Sequence, residues 1–269
     1  MQEENKRVLF FDSGVGGLSV FAEVKKACPE LAYDYLFDNA CFPYGDKSED
    51  FLIDRVEHLL TLASERFKPN LIVVACNTAS TVALPEVRRR ISLPIVGVVP
   101  AIKPAAKLTK KGIIGLLATP GTVKRQYTAN LIHDFAHGVK VLSIGSGDLA
   151  RIAELKLSGV KPDLAEIAGI LSPWLNLPEA DKPDVVVLGC THYPLLRPEL
   201  EKVLGPEITL VDSGMAIARR VVSLLGEENL HADGTAGDCL GWCTARDELM
   251  AVRTQYLQRF GIFSLNVLS

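Results

Sequence analysis

No stretch of this sequence approaches the roughly 18 consecutive apolar residues that a helix needs to cross a bilayer, so no membrane segment is expected. The N-terminal residues, Met1-Gln2-Glu3-Glu4-Asn5-Lys6-Arg7, lack the basic-then-apolar order of a secretory signal. Positive charge is not in excess either: 29 Lys and Arg stand against 32 Asp and Glu, for a net charge of −3. A nucleic-acid surface needs a basic stripe, so a nucleic-acid partner is not expected. A soluble cytoplasmic protein is. None of the six cysteines (Cys28, Cys41, Cys76, Cys190, Cys239, Cys243) forms a C-x-x-C pair. In a cytosolic chain of this length they read as thiols rather than a disulfide framework. Cys239 and Cys243 are spaced C-x3-C, but a zinc site needs two further ligands and no second pair follows, so no metal is expected.

What is present is a regular alternation. The chain has 269 residues, 48% hydrophobic and 23% charged, enough for one large domain or two of about 100–150 residues. Apolar runs alternate with helical patterns throughout, which makes the class α/β with mainly parallel sheets. Arg7 to Phe11 reads as a strand, Asp12-Ser13-Gly14-Val15-Gly16-Gly17 as a turn, and Leu18 to Ala27 as a helix. The turn lacks the third glycine of the dinucleotide fingerprint, and the chain has no G-K-[ST], so the support for nucleotide binding is weak. Asp12 at the strand end reads either as a cap for the helix or as a ligand contact. Further on, Ser48 reads as the cap of a helix through Phe67, Ala79 to Arg90 and Val123 to Ala136 as helices, and Arg246 to Arg259 as a helix in a Gly-rich tail from Leu230 to Ser269. The polar, Pro-containing stretch Val99 to Lys111 is the best candidate for a crossing between two halves.

Two stretches say nearly the same thing. Leu71 to Val74 leads through Ala75 into Cys76-Asn77-Thr78, and Val185 to Leu188 leads through Gly189 into Cys190-Thr191-His192. Each is a buried strand whose carboxyl end carries a thiol, the place where open α/β sheets bind ligands. The repeat predicts two pseudo-symmetric lobes, each an α/β sandwich. Asp12-Ser13-Gly14 also recurs, as Asp212-Ser213-Gly214.

Four uses of the thiols are open. They are core residues, or a nucleophile with a base, or a redox couple, or an acid/base pair. Cys190 and His192 are too close in sequence for a typical nucleophile–base pair, and the missing C-x-x-C speaks against redox. The last use suits the internal symmetry best: inverting a stereocentre needs a base on one face of a carbon and an acid on the other. A thiol with an ordinary pKa of about 8.5 serves in both states near neutrality. Each cysteine is expected at a helix N-terminus, which favours thiolate and anionic substrate alike.

At these residues a family resemblance emerges. Asp12-Ser13-Gly14-Val15-Gly16-Gly17, Pro43-Tyr44-Gly45, Ala75-Cys76-Asn77-Thr78, Ala118-Thr119-Pro120-Gly121-Thr122 and Gly189-Cys190-Thr191-His192-Tyr193-Pro194 together resemble the bacterial glutamate racemases of the aspartate/glutamate racemase superfamily. The resemblance implies an isomerase that needs no cofactor, acts on glutamate and supplies D-glutamate for peptidoglycan. It implies an active site in a cleft between lobes 1–98 plus 212–269 and 99–211, and a homodimer is the expected assembly. Carried over residue by residue, Cys76 and Cys190 are the acid/base pair, with Asp12 beside the first and His192 beside the second. Ser13, Pro43, Tyr44, Gly45, Asn77, Thr78, Thr119 and Thr191 match substrate-binding positions, as do Asp12 and His192. Glu154 resembles an assisting glutamate, although Ala153-Glu154-Leu155-Lys156 departs from the Glu-rich stretch of the family. The rivals are a racemase of the same superfamily acting on aspartate or a hydantoin, and a non-catalytic gyrase-binding role, which the charge balance does not support.

Overall fold

The apolar run after Arg7 forms the first strand, and strands and helices alternate from there. The structure, a computed structural model, describes residues 6–226 and 237–268. In chain order its elements are β1 (Arg7–Asp12), α1 (Leu18–Ala27), β2 (Ala32–Phe37), α2 (Glu49–Phe67), β3 (Leu71–Val74), α3 (Asn77–Val82), α4 (Leu84–Arg90) and β4 (Ile95–Gly97). There follow α5 (Ile102–Leu108), β5 (Ile113–Ala118), α6 (Pro120–Lys124), α7 (Gln126–Phe135), β6 (Lys140–Gly145), α8 (Asp148–Leu157) and α9 (Leu164–Leu175). The rest are β7 (Val185–Leu188), α10 (Arg197–Leu204), β8 (Thr209–Val211), α11 (Gly214–Leu225), β9 (Cys239–Cys243), α12 (Met250–Gln258) and β10 (Leu265–Val267).

The chain divides into two compact units. One runs to Val98 and resumes at Gly214; the other is Val99–Ser213. The first holds a six-stranded sheet in the order β10-β9-β2-β1-β3-β4, and the second a four-stranded sheet in the order β6-β5-β7-β8. Every described pairing is parallel. Parallel sheets need cover on both faces, which is why their strands read as unbroken apolar runs.

In the first unit, successive residues of β1 serve opposite faces, as the two-residue period of a strand requires. Phe10 meets Phe21 of α1 edge-on at 5.1 Å between ring centres, and Tyr33 and Tyr35 of β2 join the cluster. Leu9 and Phe11 pack with Leu52, Val56 and Leu60 of α2 on the other side. In the second unit, Leu117, Val186 and Leu188 pack with Ile152 of α8 and Ile167, Leu171 and Trp174 of α9. Ile114, Leu116, Val185 and Val187 pack with Ile102 and Ala105 of α5 on the opposite face. Each fully buried Val, Leu, Ile or Phe among them contributes about 1.5–3 kcal/mol.

Some elements differ from the sequence expectation. The helix expected over Ala79 to Arg90 is two helices, parted at Ala83 with Pro85 in the first turn of α4. The helix expected from Val123 to Ala136 opens earlier, at Pro120, and is interrupted at Arg125, whose backbone is extended. The Val99 to Lys111 stretch contains α5, because Pro104 falls in the first helical turn, where a missing N–H leaves no bond unmade. In the tail, β9 adds to β2 and β10 adds to β9. Gly241 fits there because a Cβ would stand 2.6 Å from the Ser264 carbonyl oxygen. The tail's first residues, 230–236, lie outside the described residues. Ser48 caps α2 as expected, accepting from the Phe51 N–H at 3.4 Å. Among the described residues no helix is long and apolar enough to cross a membrane.

Candidate active site

In the first unit the expected residues follow the carboxyl ends of β1, β2 and β3, three neighbouring strands. Asp12 closes β1 and is fully buried. Its Oδ1 accepts from the Ser13 N–H at 2.6 Å, and its Oδ2 accepts from the Gly17 N–H. These two turn amides therefore point at the chain's own carboxylate and are not offered to a phosphate. Gly17 is required by crowding: a Cβ would lie 2.9 Å from Asp12 Oδ2, from the Tyr35 hydroxyl and from Ala75 Cβ.

Cys76 follows β3 and is the N-cap of α3, its sulfur accepting from the Ala79 N–H at 3.5 Å. The thiol lies 3.6 Å from Ser13 Oγ, and Ser13 Oγ donates to Asp12 Oδ1 at 3.3 Å. Cys76, Ser13 and Asp12 thus form a line from thiol through hydroxyl to carboxylate. Asn77 and Thr78, in the first turn of α3, are both buried. Asn77 Oδ1 is buried with no hydrogen-bond partner among the described residues, an unmet acceptor that costs about 1–3 kcal/mol unless something fills it. Pro43, reached through a cis peptide, precedes a 3-10 turn over Tyr44–Asp46 that contains Gly45. Tyr44 is buried beside Phe11, and its hydroxyl donates to Asp38 Oδ2 at 2.7 Å.

In the second unit Thr119 caps α6, accepting from the Thr122 N–H at 3.4 Å. Gly189 lets the chain pass beside β5, where a Cβ would come within 3.0 Å of Ala118 Cβ. Cys190, Thr191 and His192 are all buried. The sulfur of Cys190 stands 3.8 Å from His192 Nδ1. The expectation that residues two apart would not pair is overturned: the chain turns at once, with the Tyr193 N–H bonded to the Cys190 carbonyl, and the ring comes back beside the thiol. His192 Nε2 lies 2.9 Å from Glu154 Oε1 on α8. Cys190, His192 and Glu154 form a second line from a thiol to a carboxylate.

Burial alone would lower the pKa of His192, but contact with Cys190 and Glu154 outweighs it and holds the imidazole well above its ordinary value. The expected helix N-terminus is found at Cys76 and not at Cys190, where a 3-10 turn over Tyr193–Leu196 separates the thiol from α10. Sequence reasoning missed two residues that hold these segments. Asp38 anchors Tyr44, and Lys156 of α8 donates to the Leu195 carbonyl and to Glu199 Oε2, each at 2.8 Å. A buried Asp one residue past a strand was the available signal for the first; Lys156 gave none.

Two α/β units, each with a parallel sheet and a buried thiol just beyond a strand, from which a line of contacts leads to a carboxylate, are the arrangement of an open-sheet α/β enzyme. Residues 16–221 match the family described as Asp/Glu/Hydantoin racemase, and the chain belongs to it. It is 50% identical over 270 residues to the glutamate racemase of Salmonella typhi, covering 99% of this chain and 93% of that one. The same figures hold for glutamate racemase of Escherichia fergusonii. Among solved structures, Escherichia coli glutamate racemase in complex with L-glutamate and the activator UDP-MurNAc-Ala superposes with a TM-score of 0.92, at 48% identity over 99% of both chains. Bacillus anthracis glutamate racemase isoform RacE1 gives 0.81 at 28% identity, covering 98% of this chain and 97% of that one.

Proposed function

We propose that the protein interconverts L- and D-glutamate by exchanging the Cα proton with two thiols, Cys76 and Cys190, without an organic cofactor. One observation carries this reading: each unit has a buried thiol heading a line that ends in a carboxylate, Cys76–Ser13–Asp12 and Cys190–His192–Glu154. The names of the relatives supply the substrate.

On this reading Cys76 takes the proton from D-glutamate while Cys190 delivers one to the opposite face, and L-glutamate reverses the roles. One proton leaves Cα and one arrives, so each turnover swaps thiol and thiolate, and solvent exchange resets them. Asp12 assists Cys76; His192, backed by Glu154, assists Cys190. The Cα proton is far less acidic than a thiol, so a carbanion-like transition state needs preorganised donors and exclusion of water. Ser13, Pro43, Tyr44, Gly45, Asn77 and Thr78 serve the substrate from one unit, Thr119 and Thr191 from the other. The unpartnered Oδ1 of Asn77 suits the α-ammonium group, which must be held as a donor. The same reading makes the two units the lobes of the family, the assembly a homodimer, the compartment cytoplasmic and the product's use peptidoglycan synthesis.

The test is racemisation in heavy water. Two distinct bases put deuterium into the product while the remaining substrate keeps its proton at early times. Cys76→Ala and Cys190→Ala should each lose racemisation. If either still interconverts the enantiomers at the full rate, the scheme is wrong.

A further inference from the structure

Asp38 is a heavily committed acidic side chain of the first unit. It follows β2, is fully buried, and donates its own N–H to the Asp12 carbonyl at 3.0 Å. Four donors converge on its carboxylate. Oδ2 accepts from the Tyr44 hydroxyl at 2.7 Å and Arg55 Nε at 2.9 Å. Oδ1 accepts from Arg55 Nη2 at 2.8 Å and Thr244 Oγ1 at 2.5 Å. The donors come from three separate segments: the turn after β2, helix α2, and the chain leaving β9. Asn39, next in sequence, fastens the same strand end to that last segment, accepting from the Thr244 and Ala245 N–H groups at 3.1 and 3.0 Å.

The arrangement settles what Tyr44 offers a ligand. Its ring is packed against Phe11 in the cluster that contains Cys76, and its O–H is committed to Asp38. With the Tyr44 side chain buried, the turn has its backbone and the exposed Pro43 ring to offer a ligand. Backbone groups bind a carboxylated substrate well only when the turn is held to a fraction of an ångström, since small misplacements are costly in a preorganised site.

We propose that Asp38, clamped by Arg55 and Thr244, is a positioning residue that fixes the Pro43–Gly45 turn for substrate binding. The proposal rests on the glutamate racemase reading and adds to it a group that does not touch substrate. Burial opposes ionisation of Asp38, but the bonds from Arg55, Thr244 and Tyr44 outweigh it and hold its carboxyl below the ordinary carboxylate range. The clamp therefore stays charged and closed at neutral pH.

The test is steady-state racemisation in both directions for the full chain carrying Asp38→Asn, Arg55→Met, Arg55→Lys or Thr244→Val. A positioning role raises KM about tenfold for both enantiomers in the first two variants and changes kcat far less, because the acid/base groups are untouched. Arg55→Lys, which keeps one donor and the charge, recovers part of the loss. Thr244→Val removes one bond of four, serves where the stronger variants fail to fold, and raises KM about threefold. Folded variants with unchanged KM, or with kcat alone reduced, overturn the proposal. Wild-type protein inert toward both enantiomers overturns the substrate reading itself, and the proposal with it, before any variant is compared.

Discussion

His192 and Glu154, 38 residues apart in sequence, meet at 2.9 Å between Nε2 and Oε1. The carboxylate orients the ring so that Nδ1 faces the Cys190 thiol, and it favours the protonated imidazole. Glu154→Gln keeps the shape and removes the charge. It is expected to lower kcat/KM about 10²-fold, the usual weight of a positioned acid/base group. The loss must be equal in both directions, since the equilibrium constant between enantiomers is fixed at unity. The alkaline limb of the pH profile moves to lower pH, because the imidazole loses a partner that raises its pKa. Initial rates across pH with both enantiomers check this.

The same contact has a stability signature. A histidine with a raised native pKa stabilises the fold fully below its unfolded value, near 6.5, and loses that contribution as pH rises through the native value. The gap in unfolding free energy between wild type and Glu154→Gln should therefore be largest below pH 6.5 and narrow as pH rises. Denaturant titrations at several pH values read it directly. A gap that widens with pH would contradict the assignment.

Cys76 has a structural as well as a proposed chemical role, and the two separate cleanly. Its sulfur caps α3 through the Ala79 N–H. Cys76→Ser retains a capping acceptor but is a far weaker acid, so it should melt close to wild type and racemise at least about 10²-fold more slowly. Cys76→Ala should lose the same activity and a further ~1 kcal/mol of stability from the missing cap. Thermal melts beside rate measurements distinguish the two effects.

The parts of the site that could be read from sequence are those where chemistry and backbone coincide locally. Asp12 ends β1 and opens the turn before α1, and Cys76 follows β3 and caps α3, so a few adjacent residues declare both the element and its use. Glu154 was reached only through the family resemblance, because nothing near it announces a partner 38 residues away. Asp38 sits just past a strand and could have been noticed, but its clamp was invisible, because Arg55 and Thr244 lie 17 and 206 residues away. Among the elements, the breaks at Ala83 and Arg125 were missed because apolar periodicity continues across both. The strand β9 was missed because Cys239-Leu240-Gly241-Trp242-Cys243 has neither alternation nor β-branched residues, and is held by its neighbours β2 and β10 instead.

Gly17 offers a test of how tightly the Asp12 turn is built. A methyl group there would sit 2.9 Å from three atoms at once, among them Asp12 Oδ2, with only the side chains of Asp12, Ala75 and Tyr35 able to give way. Gly17→Ala is expected to cost about 1–3 kcal/mol, as overpacking does in a close-packed interior. It should also displace the carboxylate from the Ser13–Cys76 line and slow racemisation. A melt unchanged from wild type would show that the turn is looser than the structure has it.

Arg55 and Asp38 carry the last expectation. Removing one member of a buried ion pair leaves the other charge uncompensated, at a cost of about 3–5 kcal/mol when both are fully enclosed. The Arg55 side chain is 26% exposed while that of Asp38 is 0%, so Arg55→Met should fall near the lower end, about 3 kcal/mol at neutral pH. A carboxylate with a depressed native pKa contributes its stability above the unfolded value of 3.8 and loses it as pH falls through the native one. Wild type and Arg55→Met should therefore converge in unfolding free energy below pH 3.8. Equal stability at pH 7 would mean that Thr244 and Tyr44 satisfy Asp38 without the guanidinium, and the clamp would then have to be ascribed to them.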